Sequence, residues 1–251
     1  MLAIISPAKT LDYAKPFPPV DETAPRFVEQ TAALAAGAAT LTVPTLRRLM
    51  RISEPLATLN AERYRDFHRQ PTRPAIYAFA GDVYTGFEAR SLGAEAIGFA
   101  QDHLRILSGL YGLLRPLDAI RPYRLEMGTR WAVGSADLYG FWGNRIADRL
   151  AEDARAQGSG VVINLASKEY WGAVEGRLPG DIRVVTIDFR EQGPQGLRFN
   201  SFGAKRARGM MARYVCEHHH ADPQALKGFD IDGYAFDPEG STDDLWRFVR
   251  R

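Results

Sequence analysis

Ile4-Ile-Ser-Pro-Ala-Lys9 lies at the start of the chain, and Ile163-Asn-Leu-Ala-Ser-Lys168 and Phe199-Asn-Ser-Phe-Gly-Ala-Lys205 repeat its design. In each stretch, residues typical of a strand are followed by a serine and then by a lysine. If the three strands are parallel neighbours, their carboxyl ends meet at one edge of a sheet, where open α/β sheets bind their ligands. The repeated design therefore predicts one crevice that all three serine–lysine pairs face.

Each serine–lysine pair is a candidate anion site. A helix that begins after the serine offers unpaired amide donors and partial positive charge, and a lysine ammonium is a compact charge that arginine does not reproduce. The chain has five lysines among its 32 basic residues, and three of the five belong to these pairs. The alternative is that the serines are ordinary helix caps and the lysines are solvated. The candidate residues are Ser6, Lys9, Ser167, Lys168, Ser201 and Lys205.

The rest of the chain alternates between helical and strand-like patterns, with no clear linker. We therefore expect a mixed α/β fold, with flanking helices on a mixed sheet, in a single domain over residues 1–251. The expected strands are Met1–Ser6, Ala75–Phe79, Tyr123–Glu126, Val161–Leu165, Ile182–Phe189, Leu197–Phe202, Gly233–Asp237 and Leu245–Val249. The expected helices are Phe27–Ala39, Pro44–Ile52, Glu54–Phe67, Ala94–Leu104, Asp137–Gln157 and Ser201–His220, with a short one opening at Ser167.

Composition and charge exclude several classes of protein. Of the 251 residues, 45% are hydrophobic and 25% are charged, which is the balance of a globular domain rather than of a disordered chain. The formal net charge of +2 excludes a binder that is basic throughout. It also conceals opposed regions, because residues 192–216 carry five basic and no acidic residues, whereas residues 229–244 carry six acidic and no basic ones. A basic cleft on a balanced body is compatible with this pattern.

Cysteine, histidine and the amino terminus point to a cytoplasmic protein, for which we expect no cofactor, no metal site and no membrane segment. Cys216 is the only cysteine and has no disulfide partner. His218-His-His220 are consecutive, so their side chains diverge instead of sharing one ion. Asp82, Glu126 and Glu169 lie near the polar motifs and suit either acid–base chemistry, Mg²⁺ binding or salt bridges with nearby arginines. A monomer is favoured.

A second candidate site surrounds the glycine turn Leu107-Ser-Gly-Leu-Tyr-Gly112. This pattern after an expected helix resembles a helix-hairpin-helix turn, whose backbone amides contact DNA phosphates without regard to base sequence. A glycine turn that serves only chain packing is an equally good interpretation. On the expected helix from Ser201, Lys205 and Arg208 share a face suited to successive phosphates or to solvent. The further candidates are Arg105, Ser108, Gly109, Tyr111, Gly112, Arg115, Arg124, Arg206 and Arg208.

The segments ISPAKTLDY, GDVYTG, LSGLYGLLRPLD, PYRLEMG, NLAS, EY and AKRARG together resemble the YaaA family of bacterial peroxide stress resistance proteins, from Met1 to Gly233–Asp237. The resemblance implies a cytosolic α/β protein with a family-specific fold that limits peroxide damage to DNA and protein and is associated with lowering free iron. It also implies DNA binding through a positively charged cleft and a helix-hairpin-helix-like element. By resemblance, that element lies within Ala94–Asp118, and the cleft includes Lys9, Lys168, Lys205 and Arg208.

Two functions remain open from the sequence. The first is a protein that binds the phosphate backbone of double-stranded or structured DNA without base specificity. The alternative is an enzyme that acts on a nucleotide or another phosphorylated small molecule held at the same serine–lysine sites, although no catalytic constellation is evident. A pocket of a few hundred Å³ favours the enzyme, whereas an open groove favours DNA. A third function, direct iron sequestration, lacks a compact cluster of His, Cys and carboxylate ligands.

Overall fold

The structure is a computed structural model that describes residues 1–251. Its strands are β1 (Leu2–Ile5), β2 (Thr10–Leu11), β3 (Arg73–Pro74), β4 (Phe79–Ala80), β5 (Leu104–Ser108), β6 (Gly112–Leu114), β7 (Ala119–Ile120), β8 (Val161–Asn164), β9 (Arg183–Gly193), β10 (Gly196–Arg198), β11 (Tyr234–Asp237) and β12 (Leu245–Arg250). Its helices are α1 (Val28–Ala39), α2 (Val43–Met50), α3 (Glu54–Arg65), α4 (Ala75–Ala78), α5 (Asp82–Phe87), α6 (Ala94–His103), α7 (Leu138–Trp142), α8 (Arg145–Ala156), α9 (Lys168–Trp171) and α10 (Ser201–Glu217).

One mixed sheet has the order β11-β12-β9-β8-β1-β5-β6, with β10 paired to β9. The strands from β12 to β5 are parallel, and the outer pairs are antiparallel. Strand β1 lies inside the sheet and is buried along its whole length, which explains why its sequence is uniformly apolar. The buried apolar residues form one continuous cluster around the sheet. The expected mixed α/β fold with flanking helices is confirmed.

The cleft exists because neighbouring strands end at different heights. In the sheet register, Ile4 of β1 lies beside Asn164 of β8, and Asn164 lies beside Thr186 of β9. Strands β1 and β8 end near this level, whereas β9 continues to Gly193. Beyond that level, residues of β9 alternate between buried and half-exposed, as a pleated strand requires. The extended part of β9 therefore forms a wall beside the open ends of β1 and β8.

Helix α10 closes the other side of this space by packing closely on α5. The crossing depends on two glycines, Gly86 of α5 and Gly209 of α10. A Cβ atom on Gly209 would overlap the carbonyl oxygen of Val83, and one on Gly86 would overlap the carbonyl oxygen of Arg206. The helices approach closely enough to hold the first turns of α10 over the ends of β1 and β8 only because both positions lack a side chain.

Several expected elements are corrected by the structure. Ala75–Ala78 is the helical turn α4 rather than a strand, since a short buried apolar run fits either conformation. Tyr123–Glu126 is irregular, not a strand. The expected single helix over Asp137–Gln157 is α7 followed by α8, because Gly143 adopts the left-handed region with φ 51° and interrupts it. No helix follows Ser6, where the chain turns into β2.

The expectation of a helix-hairpin-helix-like element within Ala94–Asp118 is also wrong. Helix α6 is present, but Leu104–Ser108 forms strand β5, and the glycine turn leads into β6, its antiparallel partner. The turn is covered by Trp142, whose Nε1 donates a hydrogen bond to the carbonyl oxygen of Gly109 at 3.0 Å. The glycines therefore serve a buried β-hairpin, because a side chain on Gly109 would overlap the carbonyl of Leu125.

No helix in the structure combines the length and the apolar character needed to cross a membrane.

Candidate functional site

Two adjoining cavities form one cleft beyond the ends of β1 and β8. The larger, of about 840 Å³, is called the outer pocket, and the smaller, of about 400 Å³, the inner pocket. Lys168 lines the outer pocket, Lys9 lines the inner pocket, and Ser167, Lys205 and Arg208 line both. The three serine–lysine stretches face one crevice, as predicted, since Ser6 lines the inner pocket and Ser201 the outer pocket. The expected reason holds only for the first two stretches, because β10 pairs antiparallel with β9 and the third lysine lies on α10.

Ser6 and Ser167 join the ends of β1 and β8 directly. The amide of Ser167 donates a hydrogen bond to Oγ of Ser6 at 2.9 Å, and the two hydroxyl oxygens are 3.3 Å apart. The hydroxyl of Tyr84 donates to the carbonyl oxygen of Ser6 at 3.2 Å, which ties α5 to the same point. Ser6 is 9% exposed and is part of the cleft floor, whereas Ser167 is half-buried at the junction of the pockets.

Three cations of the cleft have no carboxylate partner. Lys9 pairs with Glu126 at 3.1 Å, but Lys168, Lys205 and Arg208 have no carboxylate oxygen within 4.0 Å. Such unpaired cations in a concave site favour an anion, because low-dielectric walls strengthen its attraction.

Arg208 is the most constrained of these cations. Burial lowers its pKa, and the carboxylate of Asp188 offsets part of this effect. Its Nε is buried and has no hydrogen-bond partner in the protein. A buried donor without a partner is costly to the fold. Arg208 lines both pockets, where its guanidinium can donate hydrogen bonds to an anion.

The wall of the outer pocket was not predicted as a site from the sequence. Asp188 accepts hydrogen bonds from Nε of Arg190 at 2.9 Å and from Nε of Arg247 at 3.1 Å. Both arginines line the outer pocket, so this carboxylate orients two further cations beside the unpaired ones. The alternation in Thr186-Ile-Asp-Phe-Arg190 is a usable signal for the β9 part. Arg247 carries no local signal, because its position depends on the pairing of β12 with β9.

The amino end of α10 differs in detail from the prediction. Asn200, not Ser201, caps the helix, because its side-chain oxygen accepts hydrogen bonds from the amides of Phe202 and Gly203 at 3.1 and 3.4 Å. Ser201 is exposed in the outer pocket. Arg206 is exposed on another face of α10 and lines neither pocket.

Two aromatic side chains are exposed beside the unpaired cations. Phe199 is 53% exposed and lines the outer pocket, and Phe202, in the first turn of α10, is 73% exposed. The guanidinium of Arg190 lies 5.6 Å from the ring centre of Phe199, and the ammonium of Lys205 lies 5.7 Å from that of Phe202. Exposed rings combined with cations are typical of surfaces that contact unpaired nucleotides.

The second expected site, around the glycine turn, is a set of internal contacts. Arg105 is 3% exposed, and its Nε donates to Asp153 at 2.5 Å. Arg115 pairs with Asp118 at 2.8 Å, and Arg124 pairs with Glu126 at 2.9 Å. The expectation that Arg105 and the turn contact a phosphate is therefore corrected, since their polar groups are already used inside the protein. The other buried members are Ser108, Gly109, Tyr111 and Gly112.

The remaining reactive residues do not form a metal or thiol site. No group of three or more His, Cys, Asp or Glu side chains is placed to hold a metal ion. Cys216 is buried, and burial raises the pKa of its thiol, which disfavours the reactive thiolate.

The fold and the site together define a class of protein: a mixed α/β protein with a cationic cleft beyond the carboxyl ends of adjacent parallel strands. The family model described as peroxide stress protein YaaA matches residues 1–240, and the chain belongs to this family. A UPF0246 protein of Rhizorhabdus wittichii is 63% identical to this chain over 251 residues, with 100% of this chain and 99% of the relative covered. A UPF0246 protein of Caulobacter vibrioides is 48% identical over 253 residues, with the same coverage.

Proposed function

We propose that the cleft binds the phosphate backbone of DNA, without reading base sequence, as part of the peroxide stress response. The observation that carries this proposal is the set of Lys168, Lys205 and Arg208, three cations that face one cleft with no carboxylate partner. Phosphate oxygens are the acceptors that such ammonium and guanidinium groups prefer. Contacts of this kind carry affinity and orientation but no sequence information.

The surroundings of the cleft support a nucleic acid over a simple anion. Arg190 and Arg247, which share the carboxylate of Asp188, extend the basic lining of the outer pocket along β9 and β12. Phe199 and Phe202 add exposed rings at the same place. Double-stranded or structured DNA is the proposed partner, and the exposed rings favour structured DNA that contains unpaired nucleotides.

We expect the protein, when bound to DNA, to protect the DNA from damage by hydrogen peroxide. The same proposal includes protection of other proteins from oxidation and a lower level of free iron in the cell. A strain that lacks the gene and carries Lys205→Ala with Arg208→Ala should survive peroxide as poorly as the empty deletion strain. Chelatable iron and survival are measured together. Full protection by the double variant would separate the stress function from the cleft.

The direct test is the salt dependence of binding to duplex DNA. The logarithm of the affinity should fall with the logarithm of salt concentration by about 0.9 for each phosphate contacted. Lys205→Ala with Arg208→Ala should flatten this slope by about 0.9 for each phosphate that the variant no longer holds. Fluorescence anisotropy with duplex, bubbled and junction DNA measures it, and Arg206→Ala, which changes an exposed cation outside both pockets, is the matched control. Undetectable or salt-independent binding contradicts the proposal.

The second candidate function, an enzyme that acts on a nucleotide or another phosphorylated small molecule, is favoured by the shape of the cleft. Pockets of about 840 and 400 Å³ fall within the range of roughly 300–1,000 Å³ of small-molecule sites. Turnover of a phosphorylated substrate by the wild type, abolished in the same double variant, would favour this candidate.

A further inference from the structure

The inner pocket differs chemically from the outer pocket that it adjoins. Five basic residues line the outer pocket, whereas three, Lys9, Lys205 and Arg208, line the inner pocket together with Glu169 and a set of apolar and aromatic residues. The inner pocket also contains Asp82, whose carboxylate has no basic partner within 4.0 Å. The apolar and aromatic residues of the inner wall are Pro7, Ala8, Ala80, Val83, Tyr84, Leu165 and Tyr170.

This difference constrains the ligand. An unpaired carboxylate repels phosphate, so Asp82 is misplaced in a site built for a polyanion alone. It accepts hydrogen bonds from N–H and O–H groups instead. A ligand that fits both pockets therefore has an anionic end and, next to it, a flat and partly apolar end that carries hydrogen-bond donors.

We propose that the cleft receives one nucleoside monophosphate unit, with its phosphate at Ser167, Lys205 and Arg208 and its base and sugar in the inner pocket. These three residues line both pockets, so a phosphate held there has its attached sugar at the mouth of the inner pocket. Tyr84 and Tyr170, 7% and 8% exposed, provide aromatic walls for a base. Asp82 accepts from an amino, imino or hydroxyl group.

Size excludes paired bases from the inner pocket. A cavity of about 400 Å³ is within the roughly 300–1,000 Å³ of a small-molecule site and admits a single nucleotide, not a double helix. The nucleoside monophosphate unit then has two possible sources. It is either a free nucleotide or a nucleotide that is flipped out of a bound strand, as happens in enzymes that modify bases. The second source rests on the proposed DNA binding, whereas the first does not.

Calorimetry with 2′-deoxyadenosine 5′-monophosphate, deoxyadenosine and inorganic phosphate tests the pocket itself. The monophosphate should bind more tightly than either fragment. Ala8→Phe, which fills the inner pocket, should weaken its binding by about tenfold or more. Ala36→Phe, the same change at an exposed position of α1 that lines neither pocket, should leave binding unchanged.

The variant Asp82→Asn provides a second test, which remains available if the Ala8→Phe variant does not fold. Removal of the negative charge should leave the affinity for inorganic phosphate unchanged or raise it, because the repulsion is removed. The same substitution should lower the affinity for the monophosphate, since the site then has one acceptor fewer for its base or sugar. An effect of equal sign on both ligands would overturn the role of Asp82 and, with it, the proposed pose.

A duplex that contains one 2-aminopurine distinguishes the two sources. Its fluorescence should rise several-fold on binding if the base leaves the stack, and Ala8→Phe should remove the rise. If the monophosphate binds but the fluorescence of the duplex probe does not change, the pocket is assigned to free nucleotides. If the monophosphate does not bind and the probe is silent, the inference is overturned; salt-dependent duplex binding would then leave the proposed function intact, and its absence would remove both.

Discussion

Two groups of basic residues, one within residues 104–126 and the other at residues 205–208 of α10, look alike in sequence and have opposite roles in the structure. In the first, Arg105, Arg115 and Arg124 are paired with Asp153, Asp118 and Glu126. In the second, Lys205 and Arg208 face a cleft without a carboxylate partner. Asp118 and Glu126 are local partners, three and two residues from their arginines, whereas Asp153 comes from a distant part of the chain. The two groups therefore differ in whether a carboxylate lies within reach of the cation.

This contrast shows which physical property marks a binding cation. A charge that is buried and paired stabilises the fold and has no donors left for a ligand. A charge that is partly buried and unpaired, as Arg208 is, costs stability and retains donors. The stability of the fold should therefore respond in opposite ways to the loss of a charge from each group.

The largest expected effect is on stability. Arg105→Ala leaves Asp153 short of its buried partner and should lower the free energy of unfolding by about 3–5 kcal/mol. Arg208→Met, which removes an unpaired buried guanidinium, should leave stability unchanged or raise it. Urea unfolding followed by circular dichroism measures both, and equal decreases would break the contrast.

The loss of stability at acid pH should arise in part from the paired carboxylate of Asp153. Burial acts to raise the pKa of Asp153, but Arg105 and Arg26 lower it by more, so its pKa in the folded protein lies below the usual value. Its contribution to stability is therefore present above about pH 4 and is lost as the pH falls through the lowered pKa. Wild type should be more stable than Asp153→Asn near neutral pH, and the gap should narrow towards about pH 3. A gap that does not change with pH would contradict this origin.

The smallest expected effect is on DNA affinity from single charges. Lys168→Ala should weaken duplex binding severalfold and reduce the salt slope by about 0.9, as expected for one phosphate contact. Arg115→Ala should change neither quantity, because this guanidinium is held by Asp118. Anisotropy titrations at several salt concentrations compare the two variants, and a larger decrease in affinity for Arg115→Ala would reverse the assignment of the regions.

The sequence predicts the two strands that carry Ser6 and Ser167, and the meeting of Lys9 with Lys168, because both depend on local patterns. Runs such as Leu2–Ile5 and Val161–Asn164 are buried strands, and parallel neighbours bring their following residues together by geometry. Lys9 and Lys168 therefore meet in the cleft even though the helix expected after Ser6 does not form. Lys205 reaches the cleft in another way, because it lies on α10, which packs on α5.

The sequence does not predict the role of residues whose position depends on contacts with distant parts of the chain. Nothing near Arg105 in the sequence indicates that it is buried and paired, because Asp153, its partner, lies on α8. Arg247 joins the cleft through the register of β12 on β9. The glycine turn at Gly109 fits two motifs, and the choice between them depends on whether strand or helix flanks it, which the short run Leu104–Ser108 does not reveal.

Photocrosslinking with a duplex that carries a photoreactive thymine analogue locates the interface most directly. We expect cross-linked peptides that contain residues 167–171 and 199–208, where Lys168, Phe199 and Lys205 line the cleft. The cross-links should disappear in Lys205→Ala with Arg208→Ala. Cross-links within residues 104–118, or cross-links that persist in the double variant, would contradict the claim that the cleft holds the DNA backbone.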